Sequence, residues 1–245
     1  MPRYKFTIEY DGSAYHGWQY QVGLPTIQGQ IENAILQITQ EAIRLQVSGR
    51  TDAGVHALSQ VAHADITKTL DPFRFTYGLN HFLKDNGISI LNTEIVEDTF
   101  HARFSTKARE YVYKIINRRS PLTIYLNYAY HIPLPLNVPA MNEAASFLIG
   151  QHDFTTFRAS ECQALSPIKT LDQAEFIQTG EIIEFHTKSR SFLHHQVRNM
   201  VGTLCLVGLG KWAPSDVYTA LLAKNRKAGG PTAPPDGLYL KKIIY

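Results

Sequence analysis

The residues best suited to chemistry lie in one stretch, Ser48–Ala57, which is called the Asp52 loop below. Its single acid, Asp52, follows two residues after Arg50 and lies between Gly49 and Gly54. Glycine lets a backbone bend through positive φ or approach a ligand closely, and a nearby cation keeps a carboxylate ionised and oriented. A carboxylate in this setting suits nucleophilic or electrostatic catalysis. The alternative is a tight surface turn in which the Arg and the Asp pair with each other.

Two residues elsewhere in the chain are candidates to act with Asp52. Arg198 directly follows apolar Val197 in a stretch of helical periodicity, which predicts a second cation at the edge of the apolar face. A surface arginine lying along that face is the alternative. Tyr111 lies in a predicted strand among basic residues, where its ring could stack on a base and its hydroxyl could hydrogen-bond one. A core tyrosine is the alternative there.

The sequence indicates neither a metal nor a cofactor. The adjacent histidines His194-His195 would point in different directions from a helix, and they lack the spacing of metal ligands. The glycines of residues 202–210 are not followed by the Lys-Ser/Thr ending of a phosphate loop. Hydrolysis by paired carboxylates needs a second acid near Asp52, and the flanking residues supply none.

Length and composition predict a folded cytoplasmic protein. The chain has 245 residues, of which 44% are hydrophobic and 18% charged, enough for one large domain or two ordinary ones. The apolar run Met200–Gly210 is too short to span a bilayer, and the charged first residues do not resemble a signal peptide. Cys162 and Cys205 give no disulfide framework, which fits a reducing compartment.

The positive charge is concentrated in two strips, although the net charge is only +3. Residues 103–119 hold six Lys and Arg against one acid, and a second basic strip spans residues 185–227. Aromatic and histidine residues lie between these cations, which favours nucleic acid as the partner, with solvated surface faces as the alternative. The strips make Arg103, Arg109 and His195 candidate substrate-binding residues.

The elements that position these residues alternate between strands and helices. Apolar and polar residues alternate over residues 3–10 and predict a half-buried strand. Further strands are predicted at 42–47, 58–66, 88–96, 108–117, 168–178, 181–190 and 238–245, and helices at 27–40, 139–149, 193–204 and from residues 71 and 214.

Frequent hairpins and short connections predict an α+β fold with a mainly antiparallel sheet and flanking helices. The order of elements suggests two related halves. Residues 1–105 would form an N-terminal half with the Asp52 loop, and residues 106–245 a C-terminal half with the nucleic-acid-binding and supporting residues.

Seven segments, taken together and in order, resemble the tRNA pseudouridine synthase A (TruA-type) family over nearly the whole chain. These segments are residues 9–19, 49–57, 100–104, 109–113, 152–157, 192–202 and 234–240. The resemblance implies the pseudouridine synthase fold and isomerisation of uridine to pseudouridine at positions 38, 39 and 40 of the tRNA anticodon stem-loop. In this reaction the N1–C1′ bond breaks, the uracil turns, and C5 bonds to C1′.

The resemblance also implies roles for single residues. Asp52 would be the nucleophile at a flipped-out uridine, acting either by attack on C1′ or through a glycal. Arg198 would pair with the Asp52 carboxylate, and Arg50 would help displace the nucleotide. Tyr111 would contact the target base and help to remove the C5 proton. The family works without metal or cofactor, as a homodimer with a basic cleft for tRNA.

Two other functions compete with the isomerase on the residues alone. One is a tRNA-binding protein without chemistry, which would not need Asp52 or Tyr111. The other is an Asp-dependent nucleoside or glycoside hydrolase, which predicts a second carboxylate within about 10 Å of Asp52.

Overall fold

The chain forms two compact units in a computed structural model that describes residues 1–162 and 164–245. The first unit comprises Met1–Lys107 with Tyr239–Tyr245, and the second comprises Ala108–Leu238. The end of the chain therefore groups with the first unit, whereas the sequence suggests a C-terminal half that runs to residue 245. The described ranges contain ten strands and five α-helices, and none of these helices is long and apolar enough to cross a bilayer.

The first unit is built around the strand that opens the chain. Its elements are β1 (Arg3–Tyr10), α1 (Ile27–Thr39), β2 (Gln46–Val47), β3 (His56–Asp65), α2 (Pro72–Leu83), β4 (Ile88–Val96) and most of β10 (Leu238–Ile244). Strand β1 lies between β3 and β4 and is antiparallel to both, and β2 pairs antiparallel with β3. Strand β10 pairs parallel with β3, and this pairing explains why the end of the chain belongs to the first unit.

The core of the first unit follows from the alternation in β1. Tyr4, Phe6 and Ile8 point to one face and are fully buried. The rings of Tyr4 and Phe6 meet the edge of Phe75 from α2 at centroid distances of 5.5 and 5.9 Å. Burial of such apolar side chains stabilises the strand against α2. The strand predicted at residues 3–10 is confirmed as β1.

The second unit also consists of a mainly antiparallel sheet with helices. Its elements are β5 (Ala108–Asn117), β6 (Tyr130–Ile132), α3 (Val138–Ser146), β7 (Gly150–Asp153), β8 (Ile168–Thr179), β9 (Ile182–Ser189), α4 (Gln196–Gly208) and α5 (Pro214–Leu222), with short 3-10 turns at Thr155–Phe157, Arg226–Ala228 and Pro235–Gly237. The strand order is β6–β5–β9–β8–β7, and among these described strands β5 and β6 pair parallel while the other neighbours pair antiparallel. The predicted α+β class is confirmed.

Two predicted elements are wrong in part. The strand expected at 42–47 is reduced to β2, because the Glu32 carboxylate accepts the Leu45 N–H at 2.8 Å and pairs with Arg44 at 2.8 Å. The helix expected from Leu193 begins only at Gln196, because His195 has a left-handed backbone with φ of 60°. The histidine pair therefore precedes the helix instead of lying on it.

Candidate active site

The backbone just before Asp52 is held by buried groups of the first unit. The Trp18 N–H donates to the Thr51 carbonyl at 3.0 Å, and the Tyr10 hydroxyl lies 2.7 Å from the Thr51 hydroxyl. Trp18 is fully buried and Tyr10 is nearly so. Asp52 itself is half-buried, and its carbonyl accepts the Val55 N–H at 3.2 Å. Both the backbone and the side chain of the preceding residue thus fix the position of Asp52.

Two glycines, Gly12 and Gly17, allow the turn after β1 (residues 11–17) to pack directly on the Asp52 loop. A Cβ at Gly17 would lie 2.7 Å from the Thr51 carbonyl oxygen, and Gly17 has a φ of +86°. A Cβ at Gly12 would lie 2.0 Å from the Val55 carbonyl oxygen. No side chain fits at either place, so at these two glycines the backbones of the two segments approach each other directly.

Gln60 of β3 holds the beginning of the Asp52 loop. Its side-chain amide is fully buried, donates to the Gly49 carbonyl at 2.8 Å and accepts from the Ser48 hydroxyl at 2.7 Å. Gln60 is not among the residues that the sequence predicts for the site. The available signal was a polar amide within a mostly apolar strand, where a buried polar group needs partners.

His56 of β3 holds the end of the Asp52 loop. Its Nδ1 accepts the Gly12 N–H at 3.1 Å, and a carboxylate oxygen of Asp11 lies 3.2 Å from the same nitrogen. The ring is buried and stacks on Tyr239 with centroids 4.6 Å apart. The Asp52 loop is therefore held near both ends by side chains of one strand.

Tyr111 and Arg109 lie on β5 of the second unit. The Tyr111 ring is buried and meets Phe192 edge to face, with centroids 5.1 Å apart. Arg109 donates from Nη1 to the Arg190 carbonyl at 2.5 Å. The placement of Tyr111 within a strand, predicted from the sequence, is confirmed.

Arg198 lies in the first turn of α4, where a neighbouring segment fixes it. Its Nε donates to the Ala233 carbonyl at 2.8 Å, and the Ala233 N–H donates back to the Arg198 carbonyl at 3.1 Å. One turn later, a Cβ at Gly202 would lie 1.8 Å from the Pro231 carbonyl oxygen. The bond from Nε sets the orientation of the planar guanidinium.

The turn before α4 contains strained and unsatisfied groups. His195 adopts the left-handed backbone, and its ring lies 4.0 Å from that of His194. The Gln196 side chain accepts the Leu193 N–H at 2.8 Å, while its buried Nε2 has no hydrogen-bond partner among the described residues. Such features cluster at functional sites, which supports His195 as a candidate.

Part of the predicted basic strips serves the structure. Arg226 donates from Nη2 to the Asn199 side chain at 3.1 Å and from Nη1 to the Gly230 carbonyl at 2.9 Å. Arg118 pairs with Glu181 at 2.7 Å. These two cations therefore brace the second unit, while Arg50 and Arg103 in the first unit are exposed.

Comparison with known proteins covers nearly all of these residues. The chain matches the model of a family described as tRNA pseudouridine synthase over residues 7–105 and 144–245. It is 54% identical to tRNA pseudouridine synthase A of Nitrobacter hamburgensis, 55% to that of Rhodopseudomonas palustris strain BisA53 and 53% to that of Bradyrhizobium diazoefficiens. Each of these similarities covers the whole of both chains. The matched ranges include the Asp52 loop and α4, while Tyr111 lies between them.

Proposed function

Because the chain belongs to the tRNA pseudouridine synthase family, we propose that it isomerises uridine to pseudouridine at positions 38, 39 and 40 of the tRNA anticodon stem-loop. The observation that carries the proposal is the similarity over the full length to relatives named tRNA pseudouridine synthase A. The specific positions rest on the family resemblance of the seven segments. The geometry of the Asp52 loop supports the chemistry.

The reaction needs a nucleotide that has left its stack. A stacked uridine cannot present both C1′ and C5 to one carboxylate, so the base must be flipped out. Asp52 then acts on the ribose, the N1–C1′ bond breaks, the uracil turns, and C5 bonds to C1′. The proton lost from C5 is balanced by the proton gained at N1, so the product is an isomer of the substrate. Attack by Asp52 at C1′ and formation of a glycal are the two routes to this product.

A fixed Asp52 suits this reaction. Hydrogen bonds to Thr51 and from Gln60 hold the loop before substrate binds, so little ordering of the loop is left for the reaction step. The half-buried position removes part of the water that would otherwise shield a carboxylate. The arrangement thus favours a nucleophile on a rigid support.

The remaining roles rest on the family resemblance. The proposal assigns Arg198 to keep the Asp52 carboxylate ionised, Tyr111 to contact the target base, and Arg50 to help displace the nucleotide. It also includes Arg103, Arg109 and His195 among the substrate-binding residues. A homodimer and a cytoplasmic location complete the proposal on the same basis.

Tritium release from tRNA that carries 5-tritiated uridine tests the proposal. The wild-type protein should release tritium without releasing uracil, and the nearly isosteric Asp52→Asn variant should lose roughly 10³-fold or more of the rate. Undiminished release by Asp52→Asn would contradict the nucleophile assignment. Free uracil would indicate a hydrolase, and tRNA binding without any release would indicate a binding protein.

A further inference from the structure

Phe104 presents its phenyl ring to solvent on the loop that follows β4. This loop, residues 99–107, is called the platform loop, and the Phe104 side chain is 73% exposed. A single exposed apolar residue is common on protein surfaces. Phe104 differs from an ordinary exposed residue because its loop backbone is fixed by hydrogen bonds and its neighbours are cations.

The platform loop is held firmly by hydrogen bonds. The His101 Nδ1 accepts the Arg103 N–H at 3.1 Å, and the His101 N–H donates to the Ser105 hydroxyl at 3.0 Å. The buried Ala102 donates its N–H to Nδ1 of His63 on β3 at 3.2 Å. The loop therefore holds its apolar ring out in solvent while its backbone is fixed.

The neighbours of Phe104 are a second ring and cations. The His101 ring lies 4.4 Å from the Phe104 ring at an angle of 37°, and the Arg103 guanidinium lies 5.7 Å from the Phe104 ring centre. Lys107, also exposed, adds a further positive charge. The nearest acids along the chain, Asp98 and Glu110, lie outside the platform loop on either side of it.

We propose that Phe104 is a stacking platform for an unpaired base of the RNA substrate, with Arg103 and Lys107 contacting the adjoining phosphates. Aromatic side chains bind unpaired bases by stacking, and cations beside them neutralise phosphates. A preorganised loop lowers the entropic cost of that contact. A protein partner is disfavoured, because the exposed apolar area is one ring among cations, far less than the apolar core of a stable protein interface. This inference rests on the proposed function, since the RNA is the substrate of that reaction.

Equilibrium binding and single-turnover kinetics with unmodified tRNA test the platform. Phe104→Leu keeps an apolar side chain but removes the ring, and it should weaken tRNA binding about tenfold. The rate at saturating enzyme should stay within about twofold, because the ring does not touch the reacting atoms. Phe104→Trp should bind within about twofold of wild type. Phe73→Leu on α2 is the matched control, since Phe73 is 82% exposed and should not affect binding.

Fluorescence gives a readout that a purely structural role would not produce. The indole of Phe104→Trp should be quenched by tRNA more strongly than that of Phe73→Trp, because only the first stacks on a base. Wild-type affinity in Phe104→Leu, or equal losses in Phe104→Leu and Phe73→Leu, would overturn the platform. A loss of affinity that coincides with a lower molar mass by light scattering would also overturn it, in favour of a contact between two copies.

The failure of the platform is distinguishable from the failure of the proposed function. If wild-type protein releases tritium while Phe104→Leu binds tRNA normally, only the platform is wrong. If wild-type protein binds tRNA without releasing tritium, the proposed function is wrong, and the comparison of affinities still decides whether Phe104 contacts RNA.

Discussion

Strand β3 carries two buried histidines, and each holds a different loop of the first unit. His56 accepts the Gly12 N–H at 3.1 Å and thereby fixes the turn that packs on the Asp52 loop. His63 accepts the Ala102 N–H at 3.2 Å and thereby fixes the platform loop. One strand thus supports both the candidate nucleophile and the candidate RNA platform.

The two histidines differ in their electrostatic surroundings. A carboxylate oxygen of Asp11 lies 3.2 Å from Nδ1 of His56. Burial, together with the nearby His101 and Arg3, lowers the pKa of His63 to about 4. His63 therefore stays neutral at physiological pH and remains an acceptor for the platform loop. The same residue type thus holds one loop beside the Asp11 carboxylate and the other loop beside the Arg3–Asp65 ion pair.

After Asp52→Asn, the largest effect is expected where the turn packs on the Asp52 loop. Gly17→Ala should lower the rate of tritium release by about 100-fold and the free energy of unfolding by about 2 kcal/mol, because its Cβ would lie 2.7 Å from the Thr51 carbonyl oxygen. Gly23→Ala is the control, since Gly23 also has positive φ but faces open space. Equal losses in both variants would show that backbone strain, not the close approach, matters.

A matched pair of variants tests whether the two loops have separate functions. Gln60→Leu leaves the Gly49 carbonyl and the Ser48 hydroxyl without that partner and should lower kcat about tenfold, with KM for tRNA within about twofold. Thr106→Val removes a 2.7 Å hydrogen bond to the Ala102 carbonyl in the platform loop. This second variant should raise KM severalfold and leave kcat nearly unchanged. Steady-state kinetics that show the same changes in kcat and KM for both variants would contradict separate functions for the Asp52 loop and the platform loop.

The stability of the platform loop should depend on pH through His63. The pKa of His63 in the folded protein, about 4, lies below its unfolded value near 6.5. The contribution of neutral His63 to the free energy of unfolding is therefore complete above pH 6.5 and is lost as the pH falls toward 4. Over this window, wild type should lose about 3 kcal/mol more unfolding free energy than His63→Gln, which cannot titrate there. Urea unfolding at several pH values measures this difference. An NMR titration of His63 with a midpoint near 6.5 would refute it.

The smallest effect is expected outside both loops. Arg118→Gln removes the partly exposed pair with Glu181 and should change the free energy of unfolding by less than about 1 kcal/mol. Thermal unfolding and tRNA binding measure the outcome. A tenfold loss of tRNA affinity would show that Arg118 contacts RNA, as the sequence-based strip predicts.

Local patterns predicted much of the fold. The alternation in β1 and the starts of α1 and α2 were readable because their signals lie within a few residues: the Thr26 side chain accepts the Gly29 N–H and the Asp71 side chain accepts the Arg74 N–H. The shortened β2 was not, because Glu32 reaches Leu45 from a distant part of α1. The contact between positions 32 and 45 thus explains one error, whereas the late start of α4 follows from the left-handed backbone of His195.

The candidate site shows the same division. The Asp52 loop was identified from its own residue types, whereas the histidines of β3 that hold the turn against this loop and hold the platform loop were missed. The Gly12–His56 contact joins positions 44 residues apart, and the Ala102–His63 contact joins positions 39 apart. Neither contact leaves a periodic signal in the sequence. The basic strip predicted Arg226 as a surface cation, but its bond to Asn199 depends on how α4 packs against the following segment.

Mapping pseudouridine in tRNA from cells that lack this protein tests the central claim most directly. Positions 38, 39 and 40 should carry unmodified uridine in those cells. Expression of the wild-type chain should restore pseudouridine there, and Asp52→Asn should not restore it at a matched protein level. Pseudouridine that persists in the deletion cells, or that Asp52→Asn restores, would contradict the account.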